Sequence, residues 1–354
     1  METMLLKQED VADLLTLDEC IAGVESAFRM HGEGKALPPK VLGMHLENGG
    51  FHVKAGVLGS ENKYFVAKIN ANFPCNLKQN GLPNIQGVIV VCDAHNGKLL
   101  ALIDSIEITI VRTGAATAVA AKYLASPNAE TVTICGCGNQ GTISLMALMK
   151  VRPLKKVYAF DIDETVLRRF SAKFSHQLKV FPVKRNELSI ALKDSEIVVT
   201  CTPSRRPYIH ACDIMPGTFI AAVGADSEEK QELFPDLLAT NKIVVDIMEQ
   251  SATIGEVHHA LSDNKITMDA IHAELGMVVA GKKPGRESHD EIIIFDSTGM
   301  ALQDAAAASI VYENALATRM GMKFNFGRLN NDSASKISGY PRAERALRLW
   351  FPFR

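Results

Sequence analysis

Residues 131–163, TVTICGCGNQGTISLMALMKVRPLKKVYAFDID, constrain this chain more than any other stretch. Thr131 to Cys135 is a short β-prone run. Gly136-Cys137-Gly138-Asn139-Gln140-Gly141 then supplies G-x-G-x-x-G where that run must turn, and Thr142 to Lys150 repeats apolar residues at helical spacing. Lys155 to Phe160 reads as a second strand ending on Asp161. Each glycine has its own use: the tight turn, backbone approach to a pyrophosphate, and close packing of helix on strand. The helix N-terminus offers free N–H groups and a positive dipole end to phosphates. A carboxylate at the tip of the next strand accepts hydrogen bonds from ribose hydroxyls. A glycine turn used only for packing is the bland alternative. The strand before it, the helix after it and the acid beyond predict instead a dinucleotide site made by Gly136, Gly138, Asn139, Gln140, Gly141 and Asp161. A carboxylate there repels a 2′-phosphate, and the next cations, Arg168 and Arg169, fall on the following helix. NAD is therefore expected, with NADP disfavoured.

Downstream the pattern alternates. Helices are expected over 163–176, 187–192 and 268–280, and strands over 179–183, 196–201, 218–224, 242–246 and 291–295. This predicts an α/β fold with a doubly wound parallel sheet. Such sheets hold ligands at the carboxyl ends of their strands, which adds Thr202 and Ser297 to the cofactor site and brings Asp226 beside it.

Upstream the chain reads differently. Thr16-Leu17-Asp18-Glu19 is a capping box opening a helix that buries Cys20, Ile21, Val24, Ala27 and Phe28. Strand-like pieces follow over 41–45, 50–55, 64–69, 86–92 and, after the turn Asp93 to Gly97, 98–103. This section is strand-rich α+β. Lys40, Lys54 and Lys68 sit on or beside these strands, where each could simply snorkel from an edge. Arg112 is read as preceding a helix of small residues that begins at Thr113. A cation at that place opposes the helix dipole, so it is expected to grip an anion, most simply a substrate carboxylate.

Composition narrows the class. The 354 residues are 47% hydrophobic and 22% charged, enough for two cores. A net charge of −2 gives no reason to expect nucleic acid or an acidic membrane. Seven cysteines without repeating spacing argue for a reducing compartment, and the opening METMLLKQEDVADLL lacks the apolar core of a signal peptide. A cytoplasmic enzyme, without metal, is the expectation. The tail from Lys323, ending RALRLWFPFR, is expected to pack on the body or on a partner subunit.

GlyLeuProAsnIleGlnGly (81–87), ValArgThrGlyAlaAlaThrAlaValAlaAlaLysTyrLeuAla (111–125), the glycine loop, ValGlyAlaAsp…GluLeu (223–233) and IlePheAspSerThrGlyMetAlaLeuGlnAsp (294–304) together resemble the ornithine cyclodeaminase/mu-crystallin family. The resemblance runs in order to about residue 320. It implies a Rossmann domain, residues 125–299, inserted into a substrate-binding and dimerisation domain formed by 1–124 with 300–354, and a homodimer. It also implies NAD-dependent redox chemistry at the Cα–N bond of a small amino acid or its imine. A cofactor-dependent binding protein with little turnover is the alternative within the family. Carried over by position, Lys68 and Arg112 hold the substrate carboxylate, with Lys68 next to the chemistry, and Asp226 is the acid/base. Lys40 falls where cyclodeaminases have an arginine. Near Val53 they resemble one another in carrying a glutamate for a distal amine; here the strand has no acid and carries Lys54. That departure lowers ornithine and lysine as substrates and favours alanine-like, cyclic or acidic ones, with Lys40 and Lys54 as further substrate contacts.

Overall fold

The computed structural model describes residues 2–59 and 63–326. Two sheets organise it. In the first, strands β1 (Glu2–Leu6), β2 (Lys40–Leu46), β3 (Gly49–Leu58), β4 (Tyr64–Asn72), β5 (Ile85–Asp93) and β6 (Leu99–Asp104) lie in the order β1-β6-β5-β4-β3-β2. A last short strand, Met322–Asn325, pairs antiparallel with β1 and covers that edge. Lys323, Phe324 and Asn325, the first three residues of the expected tail, are thus placed on the body, and the tail beyond Phe326 lies outside the described residues.

The second sheet holds β7 (Thr131–Cys135), β8 (Lys156–Phe160), β9 (Lys179–Pro182), β10 (Ile197–Thr200), β11 (Phe219–Ala222), β12 (Lys242–Val245), β13 (Ile271–Glu274) and β14 (Ile293–Asp296). Their order is β13-β12-β14-β11-β10-β7-β8-β9, and every neighbouring pair is parallel. This is the expected doubly wound sheet. The order reverses between β7 and β10, so the crevice opens above these two strands. The strands are apolar on both faces, as a sheet covered by helices requires.

Two expectations need correction. The helix carrying Arg112 spans Ser105–Leu124, because Asp104 caps it by accepting from the Ile106 N–H at 2.9 Å. Ile108 and Val111 are buried along the same helix. Arg112 therefore lies inside the helix, not ahead of it, and opposition to the dipole is not what marks it. Residues 268–280 are not one helix either: Ile271 and Ala273 are buried in alternation on edge strand β13, and only Leu275–Val279 is α-helical.

Helices Ser105–Leu124 and Ala301–Thr318 pack against one face of the first sheet, and Leu17–Gly32 packs on both of them. Helix Ala301–Thr318 is rich in alanine, which lets β3 approach closely: a Cβ on Gly56 would come within 2.9 Å of Leu302. Its N-terminus follows directly from β14, so the end of the parallel sheet delivers Gln303 and Asp304 beneath the strands that carry Lys54 and Lys68.

Candidate active site

Two of the loop glycines are dictated by the protein itself. Gly136 has φ +99°, and a Cβ on Gly141 would fall 1.9 Å from the Gly136 carbonyl oxygen. Gly138 is different. Its φ is an ordinary −73°, and a Cβ there would meet no protein atom within 4 Å. What it keeps clear is the space outside the N-terminus of the helix Asn139–Val151, which has no side-chain cap of its own. Uncapped first-turn N–H groups beside cleared space fit a phosphate. Gln140 Oε1, buried and without a hydrogen bond among the described residues, faces the same need for a partner. Asp161 accepts from the Cys137 N–H at 2.8 Å on one oxygen and from the Asp163 N–H at 2.9 Å on the other. These bonds fix the carboxylate at the tip of β8 and leave lone pairs for a diol.

Thr202 and Ser297 also stand at strand ends. The Thr202 hydroxyl donates to Glu232 at 2.6 Å, and its methyl lies against the glycine turn. Ser297 is buried, with its N–H on the Ala222 carbonyl. Cys135 and Cys137, buried, and Cys201, half-buried, line the turn as thiols pushed up by desolvation, which makes them inert packing residues.

The cations converge. Lys54 and Lys68 are directly opposite one another in the β3–β4 ladder, a like-charge pairing that works against the sheet. Lys68 Nζ donates to Asp304 Oδ1 at 2.7 Å, Arg112 Nε lies 3.0 Å from the same oxygen, and Arg112 Nη1 donates to Gln303 Oε1 at 2.9 Å. Lys54 Nζ donates to the carbonyls of Thr298 and Gly299 at 3.0 and 2.7 Å. Gly299 is where the two groups meet, since a Cβ on it would lie 3.0 Å from Arg112 Nη1 and 3.2 Å from Lys54 Nζ. Lys68 is 3% exposed and Arg112 7%. Burial, reinforced by Arg112 and Lys54, lowers Lys68 to about 7 against the pull of Asp304. Burial and Arg112 lower Lys54 as well. Burial works to raise Asp304, but Lys68 and Arg112 outweigh it and hold the carboxyl low. Two cations thus share one carboxylate and a third, Lys54, stands close by on the carbonyls, a gathering of cations that a second carboxylate relieves.

Lys40 is not brought into this group. It opens β2 opposite Ala55, one position out of phase with Lys54, and lines the mouth of a cavity of about 580 Å³ between the two sheets. His45 and His52 from the first sheet, and Ser227, Glu249 and Gln250 from the second, complete its walls.

Asp226 is on the loop after β11, next in sequence to Ser227 of the cavity lining. Its side chain is 52% exposed, and Oδ1 takes the Lys230 ammonium at 2.5 Å. Burial in the cleft tends to raise its pKa, but Lys230 first, then Lys54 and His52, bring it below the ordinary carboxylate value. It is therefore ionised at neutral pH and able to accept a proton.

Sequence reasoning passed over Asp304, Gln303 and Glu232. The first two sit in the quoted stretch 294–304, and an acid one turn into an alanine helix was the available signal. Glu232 is fully buried and ties two loops together: the Thr202 N–H and hydroxyl, the Tyr208 hydroxyl and the Gly224 N–H all donate to it. It lies in the quoted stretch 223–233, whose closing Glu-Leu was the available signal.

The profile of the ornithine cyclodeaminase/mu-crystallin family matches residues 1–319. An alanine dehydrogenase of Archaeoglobus fulgidus is 40% identical over 331 residues, covering 93% of this chain and all of the relative. The solved structure of an archaeal alanine dehydrogenase dimer with bound NAD superposes with a TM-score of 0.87 at 38% identity, covering 92% of this chain and 100% of that one. The Δ1-pyrroline-2-carboxylate reductase of Thermococcus litoralis, solved with NADH and L-proline, gives a TM-score of 0.83 at 31% identity, covering 90% and 99%. Among the described residues no helix is long and apolar enough to cross a membrane.

Proposed function

The chain belongs to the ornithine cyclodeaminase/mu-crystallin family, and from that premise we propose that the cleft between its two sheets carries the family's chemistry with the residues described above. The protein is an NAD-dependent oxidoreductase acting at the Cα–N bond of a small amino acid or its imine. In our reading the substrate carboxylate docks on Arg112, Lys68 and Lys54, which fixes Cα and its nitrogen in the cleft. Gly136, Gly138, Asn139, Gln140, Gly141 and Asp161, with Thr202 and Ser297, would hold NAD, which when bound would supply the hydride acceptor for Cα, or the hydride donor in reduction. Asp226 accepts the proton from the substrate ammonium so that the nitrogen lone pair can form the C=N bond, and gives it back in the other direction. The observation that carries this reading is the gathering of cations around Asp304.

Lys54 stands on β3, which carries no acid. A second ammonium on the substrate therefore finds no counter-ion there, which supports an alanine-like or cyclic imino acid over ornithine. The test is a panel: NAD with L-alanine, L-proline and L-ornithine, and NADH with pyruvate plus ammonia and with Δ1-pyrroline-2-carboxylate, read by cofactor absorbance. Turnover is expected in the alanine or proline arm, and silence throughout overturns the reading. Asp226→Ala should keep NADH binding and lose most turnover; an unchanged rate removes Asp226 from the chemistry.

We further assign residues 1–124 with 300–354 to a substrate and dimerisation domain and 125–299 to the cofactor domain. The helices cover one face of the first sheet. The opposite face exposes Leu42 (57%), Met44 (50%), Phe65 (37%) and Ile69 (40%), with Val53 and Val88 between them. An apolar face this broad calls for a partner sheet, and a second copy of the chain supplies it. Leu42→Asp should convert a dimer to a monomer in light scattering.

A further inference from the structure

Asp226 already has a partner of the same chemistry as the group it is to serve. Lys230 follows it across a tight turn, with the Lys230 N–H donating to the Ser227 carbonyl at 3.2 Å. The Lys230 carbonyl lies 2.9 Å from His259 Nε2, which anchors the backbone end of the residue. Its side chain is 22% exposed, less than half the exposure of the carboxylate it meets, so the ammonium reaches Asp226 from the protein side of the loop. The other titratable groups acting on Asp226 are Lys54 and His52, both from β3, with His52 held below the ordinary imidazole value by burial and Lys54. Arg112, Lys68 and Asp304 are gathered at the carboxylate-binding end and pair with one another.

We propose that Lys230 is a positioning residue that holds Asp226 aimed and ionised in the free enzyme and yields its place on the carboxylate to the substrate ammonium. The proposal rests on Asp226 being the proton acceptor. An incoming R–NH3+ and the Lys230 ammonium are both strong donors with the same charge, and one carboxylate shared by two cations binds each less tightly. When the substrate N–H bond breaks and its proton moves to Asp226, the carboxyl becomes neutral and the attraction to Lys230 ends. When the proton returns to the amine, Lys230 recaptures the carboxylate. The lysine thus sets how readily Asp226 takes a proton and how much a substrate ammonium must displace to reach it.

Two substitutions separate this from a surface ion pair. Lys230→Met keeps the aliphatic stem and removes the charge, whereas Lys230→Arg keeps the charge. The readout is carboxyl carbon NMR on the full chain labelled in aspartate, with the Asp226 signal identified by its absence in Asp226→Asn. No substrate is needed. In Lys230→Met the Asp226 titration should move up by about one pH unit, a tenfold change in proton affinity, and Lys230→Arg should stay near the parent. The acid limb of the kcat/KM profile for the panel's best amino acid should move the same way, with KM for that ammonium substrate falling in Lys230→Met. An Asp226 titration that does not move, with turnover intact, overturns the role of Lys230 alone. A silent panel overturns the reading beneath it. Lys230→Gln gives the same comparison if the methionine variant does not fold.

Discussion

The two ends of the cleft are built on opposite plans. At one end Lys54, Lys68 and Arg112 come from two strands and a helix, are buried (Lys68 and Arg112) or half-buried (Lys54), and are each held by a fixed partner on the segment 298–304. At the other end Asp226 sits half exposed on a single loop, tied to one neighbour four residues away. A desolvated charge is costly unless its partners are in place beforehand, so the end that grips the substrate is rigid and distributed over the fold. A group that must take up and release a proton needs partners it can exchange, and a wet loop provides them. Binding geometry and proton handling are thus assigned to parts of the structure that differ in burial.

The strongest way to break this contrast is to remove one cation from each kind of setting. Arg112→Ala should lower kcat/KM by about a thousandfold or more, losing a charge-assisted grip on the reacting molecule. It should also cost about 3–5 kcal/mol of stability, because Asp304 and Gln303 are left buried without it. Asp226→Asn should approach the same loss of turnover, about 10²–10⁴-fold, while its stability stays within about 0.5 kcal/mol of the parent. Kinetics and chemical denaturation on the same preparations check both. If the two variants melt alike, the division of labour is wrong.

Asp304→Asn tests the rigid end more gently. The shape is kept, but Lys68 and Arg112 lose the charge that aligns them, so a drop of about 10–100-fold in kcat/KM is expected, the range for groups that orient the ligands of a site. Affinity for NADH should hold. Weaker cofactor binding in that variant would place Asp304 in the cofactor site and undo its assignment to the substrate end.

How much of this was legible before the fold? The cofactor half was, because a dinucleotide turn is local: strand, glycines, helix and Asp161 are contiguous, and each residue's reason is visible in its neighbours. The cations were legible as residues but not as an assembly. Lys54 and Lys68 meet only through β3–β4 register, and Arg112 reaches them only because Asp104 starts its helix earlier than the apolar run suggested. Taken from composition alone, Asp304 looks like any acid in an alanine helix. Its meaning comes from two partners more than 190 positions away in the chain. Residues 271–274 failed for a different reason: four residues of alternation are too few to overrule a helical reading of the stretch around them.

The smallest effect sharpens the comparison most, because protons can be counted at one end and not at the other. Lys68 falls from the 10.5 of a free lysine to about 7, mainly through desolvation. Between those values the folded chain binds fewer protons than the unfolded chain, so the contribution of Lys68 to stability rises with pH across that window and is most unfavourable below it. A carboxylate bound beside Lys68 reverses the bias by favouring the charged form. Binding propanoate in the presence of NAD at about pH 8 should therefore take up a proton, approaching one per site. Calorimetry in two buffers of different ionisation heat measures that number, and Lys68→Met should abolish it. Asp226 cannot supply the uptake, since its carboxyl is held below the ordinary range and is already ionised at that pH. Propanoate also lacks the amine that would engage it. Uptake that survives in Lys68→Met but vanishes in Asp226→Asn would reverse the two ends, with the exposed loop titrating and the buried cluster fixed.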